Sequence, residues 1–112
     1  MNISVAELLS ATATSVKVTD DTLEFDLSDG RTIAAPVAWF PRLNQGTPAE
    51  RRNWRLIGQG IGVHWPDLDE DISVEGLLLG RPSGESQVSF RRWLEQRKNR
   101  KPTGGASGRR KK

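Results

Sequence analysis

Trp54–Leu79 reads WRLIGQGIGVHWPDLDEDISVEGLLL. Its pattern predicts a helix end, a glycine break, a short strand, an acidic turn and a short helix, in that order. Ile61, Val63 and Trp65 alternate with Gly60, Gly62 and His64, the period-two signature of a half-buried strand. Pro66-Asp67-Leu68-Asp69-Glu70-Asp71 follows as an acidic loop. Ser73 can cap a helix running to Leu79, closed by Gly80 and stopped by Pro82.

Just upstream, Thr47-Pro48-Ala49-Glu50 is the strongest helix start in the chain. Threonine caps, proline fits the first helical position, and glutamate reaches back from the third. The helix is expected from Pro48 to about Ile57, with Gly58 ending it. Ala49, Trp54, Leu56 and Ile57 would face a sheet, and Arg51 and Arg55 would stack outside. Before it, Val37–Leu43 reads as a short helix with Trp39, Phe40 and Leu43 inward and Pro41 in its first turn.

The sheet they cover is written in Thr14–Ala35. Val16 and Val18, then Leu23, Phe25 and Leu27, then Ile33 and Ala35 alternate with polar neighbours. Opposed residues of an antiparallel pair share a face, so the pattern sets the register. A turn at Asp20-Asp21 places Val18 opposite Leu23 and Val16 opposite Phe25. A three-residue loop, Ser28-Asp29-Gly30, places Phe25 opposite Ile33 and Leu23 opposite Ala35, with Gly30 left-handed. The result is a three-stranded antiparallel meander, its other face carrying Lys17, Glu24, Asp26 and Thr32.

At the ends, Ser4–Leu9 reads as one helical turn with Val5 and Leu8 or Leu9 inward. Ser86 can cap a last helix, about 86–97, in which Phe90, Trp93, Leu94 and Arg97 share a face. Residues 98–112 are expected to be a disordered basic tail. The fold class is therefore α+β: a meander plus a fourth strand, with three or four short helices packed on the sheet. A single domain spans 1–97, as the length of 112 residues suggests.

Composition narrows the chemistry. Cysteine is absent, which removes disulfides, thiol nucleophiles and cysteine-bound metals. The net charge of +3 is unevenly placed. Residues 97–112 hold eight basic side chains and no acidic one, whereas 1–96 hold nine basic against fourteen acidic, a net −5. The basic character belongs to the tail, not to the domain. No signal-peptide pattern or membrane-length apolar run is present, so a cytoplasmic protein is expected.

One resemblance rests on Trp39-Phe40-Pro41-Arg42-Leu43, then Arg52-Asn53-Trp54, then the unbroken string from Gly62 through His64-Trp65-Pro66-Asp67-Leu68-Asp69-Glu70-Asp71 to Leu78. With the Phe25–Gly30 hairpin, these residues resemble an uncharacterised bacterial family labelled domain of unknown function 2442, over about 14–80. The resemblance implies a small α+β domain without established catalytic residues. It also implies a gene layout like that of toxin–antitoxin pairs, hence a small protein partner. The long basic C-terminus departs from the family pattern.

Other chemistries fit less well. Asp67, Asp69 and Asp71 have calcium-loop spacing, but Ile72 stands where the loop needs glycine and Leu78 where it needs glutamate. Gly58, Gly60 and Gly62 suggest a phosphate loop, yet they lead out of a helix rather than into one. His64 could be drawn with Ser73 and Asp69 as a triad. Nothing in the spacing requires it, and a structural histidine tying the acidic loop to the strand is favoured. The expected function is a non-catalytic protein-binding module, antitoxin-like, with no cofactor and no metal. Its contact surface would join Arg51, Arg55, Asp67, Asp69, Asp71 and Trp93, with Trp93 an exposed anchor. The alternative is a nucleic-acid-associated regulator using Arg91, Arg92, Arg97, Lys98, Arg100 and Lys101.

Overall fold

The computed structural model describes residues 4–99. The meander forms as the alternation requires. Strands β1 (Ala13–Val18), β2 (Thr22–Leu27) and β3 (Thr32–Pro36) pair in that order. Val18 lies opposite Leu23, Val16 opposite Phe25, Phe25 opposite Ile33 and Leu23 opposite Ala35. Gly30 adopts φ 94°, which an L side chain would resist. Leu23, Phe25, Leu27 and Ala35 are buried on one face. On the other, the Asp26 carboxylate accepts hydrogen bonds from the hydroxyls of Ser15 and Thr32 on the flanking strands.

The chain leaves this sheet through a 3-10 turn, Val37–Trp39, and a short helix, Pro41–Asn44. The expected single helix is split by Pro41. Its ring pushes the preceding residue out of the helical region, and Phe40 sits at φ −125°, ψ 88°. Val37, Phe40 and Leu43 then reach the core, and Trp39 is left 37% exposed.

The next helix, Pro48–Arg52, begins with the expected reciprocal cap between Thr47 and Glu50. It ends five residues early, because Asn53 turns to ψ 83° and the chain straightens. Arg55–Ile57 is a strand, β4, paired with β5 (Gly62–Trp65), and β6 (Glu70–Ser73) pairs with β5 on its other side. The expected fourth strand thus belongs to a second three-stranded sheet. That sheet also takes in the supposed helix end and the last two residues of the supposed acidic loop, Glu70 and Asp71. Ile61 falls outside the strand, in helical backbone and 61% exposed.

The remaining loop, Pro66–Asp69, is tight. Leu68 is fully buried and Asp69 turns left-handed at φ 50°. Helix Val74–Leu78 starts on the Ser73 cap as predicted, and the last helix runs Gln87–Asn99. Lys98 and Asn99, expected in the tail, lie in this helix, and residues 100–112 are outside the described residues. The first helix is Val5–Leu9, but Val5 is 70% exposed and Leu8 is also exposed, so only Leu9 is partly covered.

The inner faces of both sheets feed one core, with Phe25, Leu23, Val63, Trp65, Leu68 and Ile72 in a single cluster. At Gly60, φ 105°, a Cβ would lie 2.5 Å from the Ala13 carbonyl, so only glycine lets the β4–β5 turn close on β1. Among the described residues no helix is long and apolar enough to cross a membrane.

Candidate partner-binding site

The six residues expected to form one contact surface fall into separate groups: Arg51 is interior, Arg55 and Asp71 share the outer face of the second sheet, Asp69 and Trp93 both border Arg42, and Asp67 pairs with Asn53. Arg51 is buried, not outward. Its Nε and Nη2 donate to the carbonyls of Leu43 and Asn44 at 3.0 and 2.9 Å, and Nη1 to Asp20 at 2.9 Å. Those carbonyls end the Pro41–Asn44 helix, where intrahelical partners run out. The carbonyl of Arg51 in turn accepts from the buried Trp65 indole at 3.0 Å. Arg51 is thus a scaffold residue.

Trp93 is buried as well, correcting its reading as an exposed anchor. Its ring stacks on Phe90 at 5.8 Å, and the guanidinium groups of Arg42 and Arg97 lie 5.3 and 5.1 Å from its centroid. Arg42 also donates to Glu85, which accepts from the Ser89 hydroxyl at 2.7 Å. The Arg42 guanidinium holds the Glu85 carboxyl below its usual range. Arg97 donates to Glu50 at 2.9 Å and lowers that carboxyl in the same way. These pairs fasten the last helix to the domain. They commit Arg97 to structure and leave Arg91, Arg92 and Lys98 exposed; Arg100 and Lys101 lie outside the described residues.

The three aspartates point to three partners. Asp67 accepts from Asn53 at 2.9 Å, Asp69 faces Arg42 at 3.4 Å, and Asp71 contacts His64 Nδ1. No group of three or more potential metal-ligating side chains occurs among the described residues. His64 ties into β6 through Asp71 rather than to Asp69. Arg55, His64 and Asp71 are mutually opposed across β4, β5 and β6, so they form one row on the outer face. The hydroxyl oxygen of Ser73 caps the helix by accepting from the Gly76 amide at 2.9 Å.

Glu70 sits on the other face. It lies opposite Trp65, on the side that buries Val63 and Ile72. Burial raises its carboxyl to about 7; Arg42 opposes the rise, while Glu85, Asp71 and Asp69 add to it.

A further feature went unseen in the sequence. Thr19 donates to the Thr22 carbonyl at 2.9 Å, so that pair is hydrogen-bonded. Alternation along the ladder makes Lys17–Glu24 bonded too, and leaves Val18–Leu23 and Val16–Phe25 non-bonded. The N–H and C=O groups of Val16 and Val18 therefore point away from β2, along an edge of the sheet that has no strand partner among the described residues. That edge opens on a groove of about 360 Å³, walled by Pro48, Arg52 and Trp54. Edge status depends on strand order, which residue patterns do not state. The one sequence signal was that β1 is the first strand of a meander.

The family model described as "Protein of unknown function (DUF2442)" matches residues 13–83. The chain belongs to the DUF2442 family. Two solved structures share the DUF2442 chain's fold. A protein of unknown function from Rhodospirillum rubrum ATCC 11170 is 25% identical with a TM-score of 0.59, over 72% of this chain and 98% of that one. An uncharacterized protein from Chromobacterium violaceum is 24% identical with a TM-score of 0.59, over 82% of this chain and 81% of that one. No curated protein matches this DUF2442 member.

Proposed function

We propose that this chain is a non-catalytic protein-binding module, an antitoxin-like regulator of a small protein encoded beside it. The observation that carries the reading is the β1 edge, without a strand partner among the described residues, facing an open groove. Unpaired main-chain groups beside a cleft are a ready template for another polypeptide. The arrangement of polar side chains favours the same conclusion. His64, Arg42, Arg51 and Arg97 are each engaged in a contact that joins two parts of this fold. His64 and Ser73 stand on an exposed sheet face, and the Ser73 oxygen is occupied as a helix cap. A general base would need an unengaged nucleophile within hydrogen-bond reach.

The test is co-expression with the adjacent gene in the native host. A protein partner retained at fixed stoichiometry through size exclusion is the expected result. Recovery of the chain with nucleic acid and without protein would overturn it in favour of the second reading. That reading rests on the exposed Arg91, Arg92 and Lys98 of the last helix, continuous with the basic sequence that follows.

A further inference from the structure

We propose that the β1 edge recognises an extended, acidic segment of the partner by strand addition, with Val16 and Val18 supplying the main-chain hydrogen bonds. This rests on the protein-binding reading above and adds the chemistry of the bound segment.

Three observations select the occupant. First, Val16 and Val18 present their amide and carbonyl groups outward without a partner among the described residues. An extended chain alongside can exchange both bonds with each, at the normal spacing between strands. The Thr12–Ala13 end of the edge is closed by the Gly60 turn, so pairing is confined to the groove.

Second, the groove has a wall of its own. Pro48, Arg52 and Trp54 stand across from the strand, with the flanks of Val16 and Val18 only partly covered. Alternate residues of a bound strand would meet an apolar surface on one side. The arrangement is strand, cleft, short helix, a geometry suited to peptides that are held by main-chain bonds and read by alternate side chains.

Third, the charge is one-sided. Asp20, the acidic residue of the lining, is paired with Arg51. Lys17 and Arg52 line the same groove and make no ion pair among the described residues. A second copy of this chain is a poor occupant. The antiparallel register that uses both Val16 and Val18 sets Lys17 directly against its own mate, and like charges so opposed repel. The chain's own 98–112 segment, with seven basic and no acidic side chains, is repelled for the same reason. A partner strand alternating carboxylate and aliphatic residues satisfies the edge, the wall and the rim together.

The probes are two synthetic capped peptides, Glu-Val-Glu-Val-Glu and Lys-Val-Lys-Val-Lys, titrated into the full chain and followed by amide NMR. The acidic peptide is expected to shift and protect the Val16 and Val18 amides, and the basic one to leave them unchanged. Val16→Pro removes an outward N–H that the fold does not use and should weaken the acidic peptide by roughly fivefold. The exposed pair Lys17→Glu with Arg52→Glu should weaken it about tenfold without loss of fold. Equal binding of both peptides, or shifts confined to other surfaces, would overturn the proposal. A co-purified partner indifferent to both variants would sink strand addition while leaving the protein-binding reading intact. Peptide binding at the edge with no protein partner in the host would do the reverse.

Discussion

Glu70 lies directly opposite the fully buried Trp65 in the second sheet, so a carboxylate occupies the core side of a strand pair. Its pKa is raised to about 7, above the ordinary glutamate value of 4.5, chiefly by burial. A proton is thus bound more readily in the folded chain than in the unfolded one between these values. Linkage then makes the folded state lose stability as pH rises from about 4.5 through about 7. After allowance for partial exposure, the loss is about 2 kcal/mol. Glu70→Gln should remove it, stabilising the protein at pH 8 far more than at pH 5 in urea denaturation. Equal effects at both values would contradict this account. Glu50 and Glu85, whose carboxyls are lowered by Arg97 and Arg42, act in the opposite direction and at lower pH. Their contribution is present above about 4.5 and fades as acid is added below it.

Arg51 serves the interior. Replacing it with methionine keeps much of the volume but strips the Asn44 carbonyl of its side-chain donor and leaves the Leu43 carbonyl with only the Gly46 amide. A loss of about 2 kcal/mol is expected, since the charged donor is lost from both carbonyls and the partly buried Asn44 acceptor keeps no protein partner in its place. Arg51→Lys should recover little, because one ammonium cannot span three acceptors. A midpoint shift under about 0.5 kcal/mol for Arg51→Met would refute the scaffold role.

Trp93→Ala should detach the last helix and leave the two sheets folded. The truncation of a buried tryptophan costs about 3 kcal/mol, and here that loss falls on one docking surface. Hydrogen exchange is the measurement: amides of Gln87–Asn99 should lose protection while those of β2 and β5 keep it. Loss of protection throughout would mean that the helix is integral to the core.

His64→Ala should be mild. The pair with Asp71 bridges two strands at a surface where the aspartate side chain is 67% exposed, and such pairs contribute under about 1 kcal/mol. Binding of the protein partner should be unchanged. A collapse of either stability or binding would assign His64 a role beyond bracing the sheet.

Removing residues 100–112 takes away six basic side chains. Any binding of random-sequence DNA by the full chain should lose most of its salt dependence on truncation, since that slope counts phosphate contacts at about 0.9 each. Capture of the protein partner should persist. An unchanged slope would place the contacts on Arg91, Arg92 and Lys98 instead.

The meander was legible because each of its strands alternates cleanly and two turns leave one consistent register. The second sheet was not. Arg55-Leu56-Ile57 follows a strong helix start, and local propensity cannot report that the chain leaves the helix at Asn53 so that Arg55–Ile57 pair with Gly62–His64. Glu70 was hidden by the same error: as loop it looks solvated, whereas its parity with Ile72 turns it inward once β6 is recognised. The split at Phe40 could have been read from Pro41, which disfavours helical backbone in the residue before it. Arg51 and Trp93 show the limit of charge and aromatic patterns, since burial of Arg51 depends on how the preceding helix folds back on it and burial of Trp93 on residues far upstream such as Arg42. The β1 edge was half legible: the meander makes β1 an outer strand, but residue type could not say whether the fourth strand would cover it.

Each sheet is assembled from three strands that follow one another along the chain, joined by short turns. Local pairing of this kind closes small loops and tends to be quick. The amino-terminal meander can therefore settle while the ribosome is still delivering the second sheet. The last helix arrives after everything it clasps, through Arg42 and Glu50, is already in place. Before Trp54 is made the groove beside Val16 has only part of its wall, so a nascent chain stalled there would expose its sticky margin to any neighbour emerging alongside it.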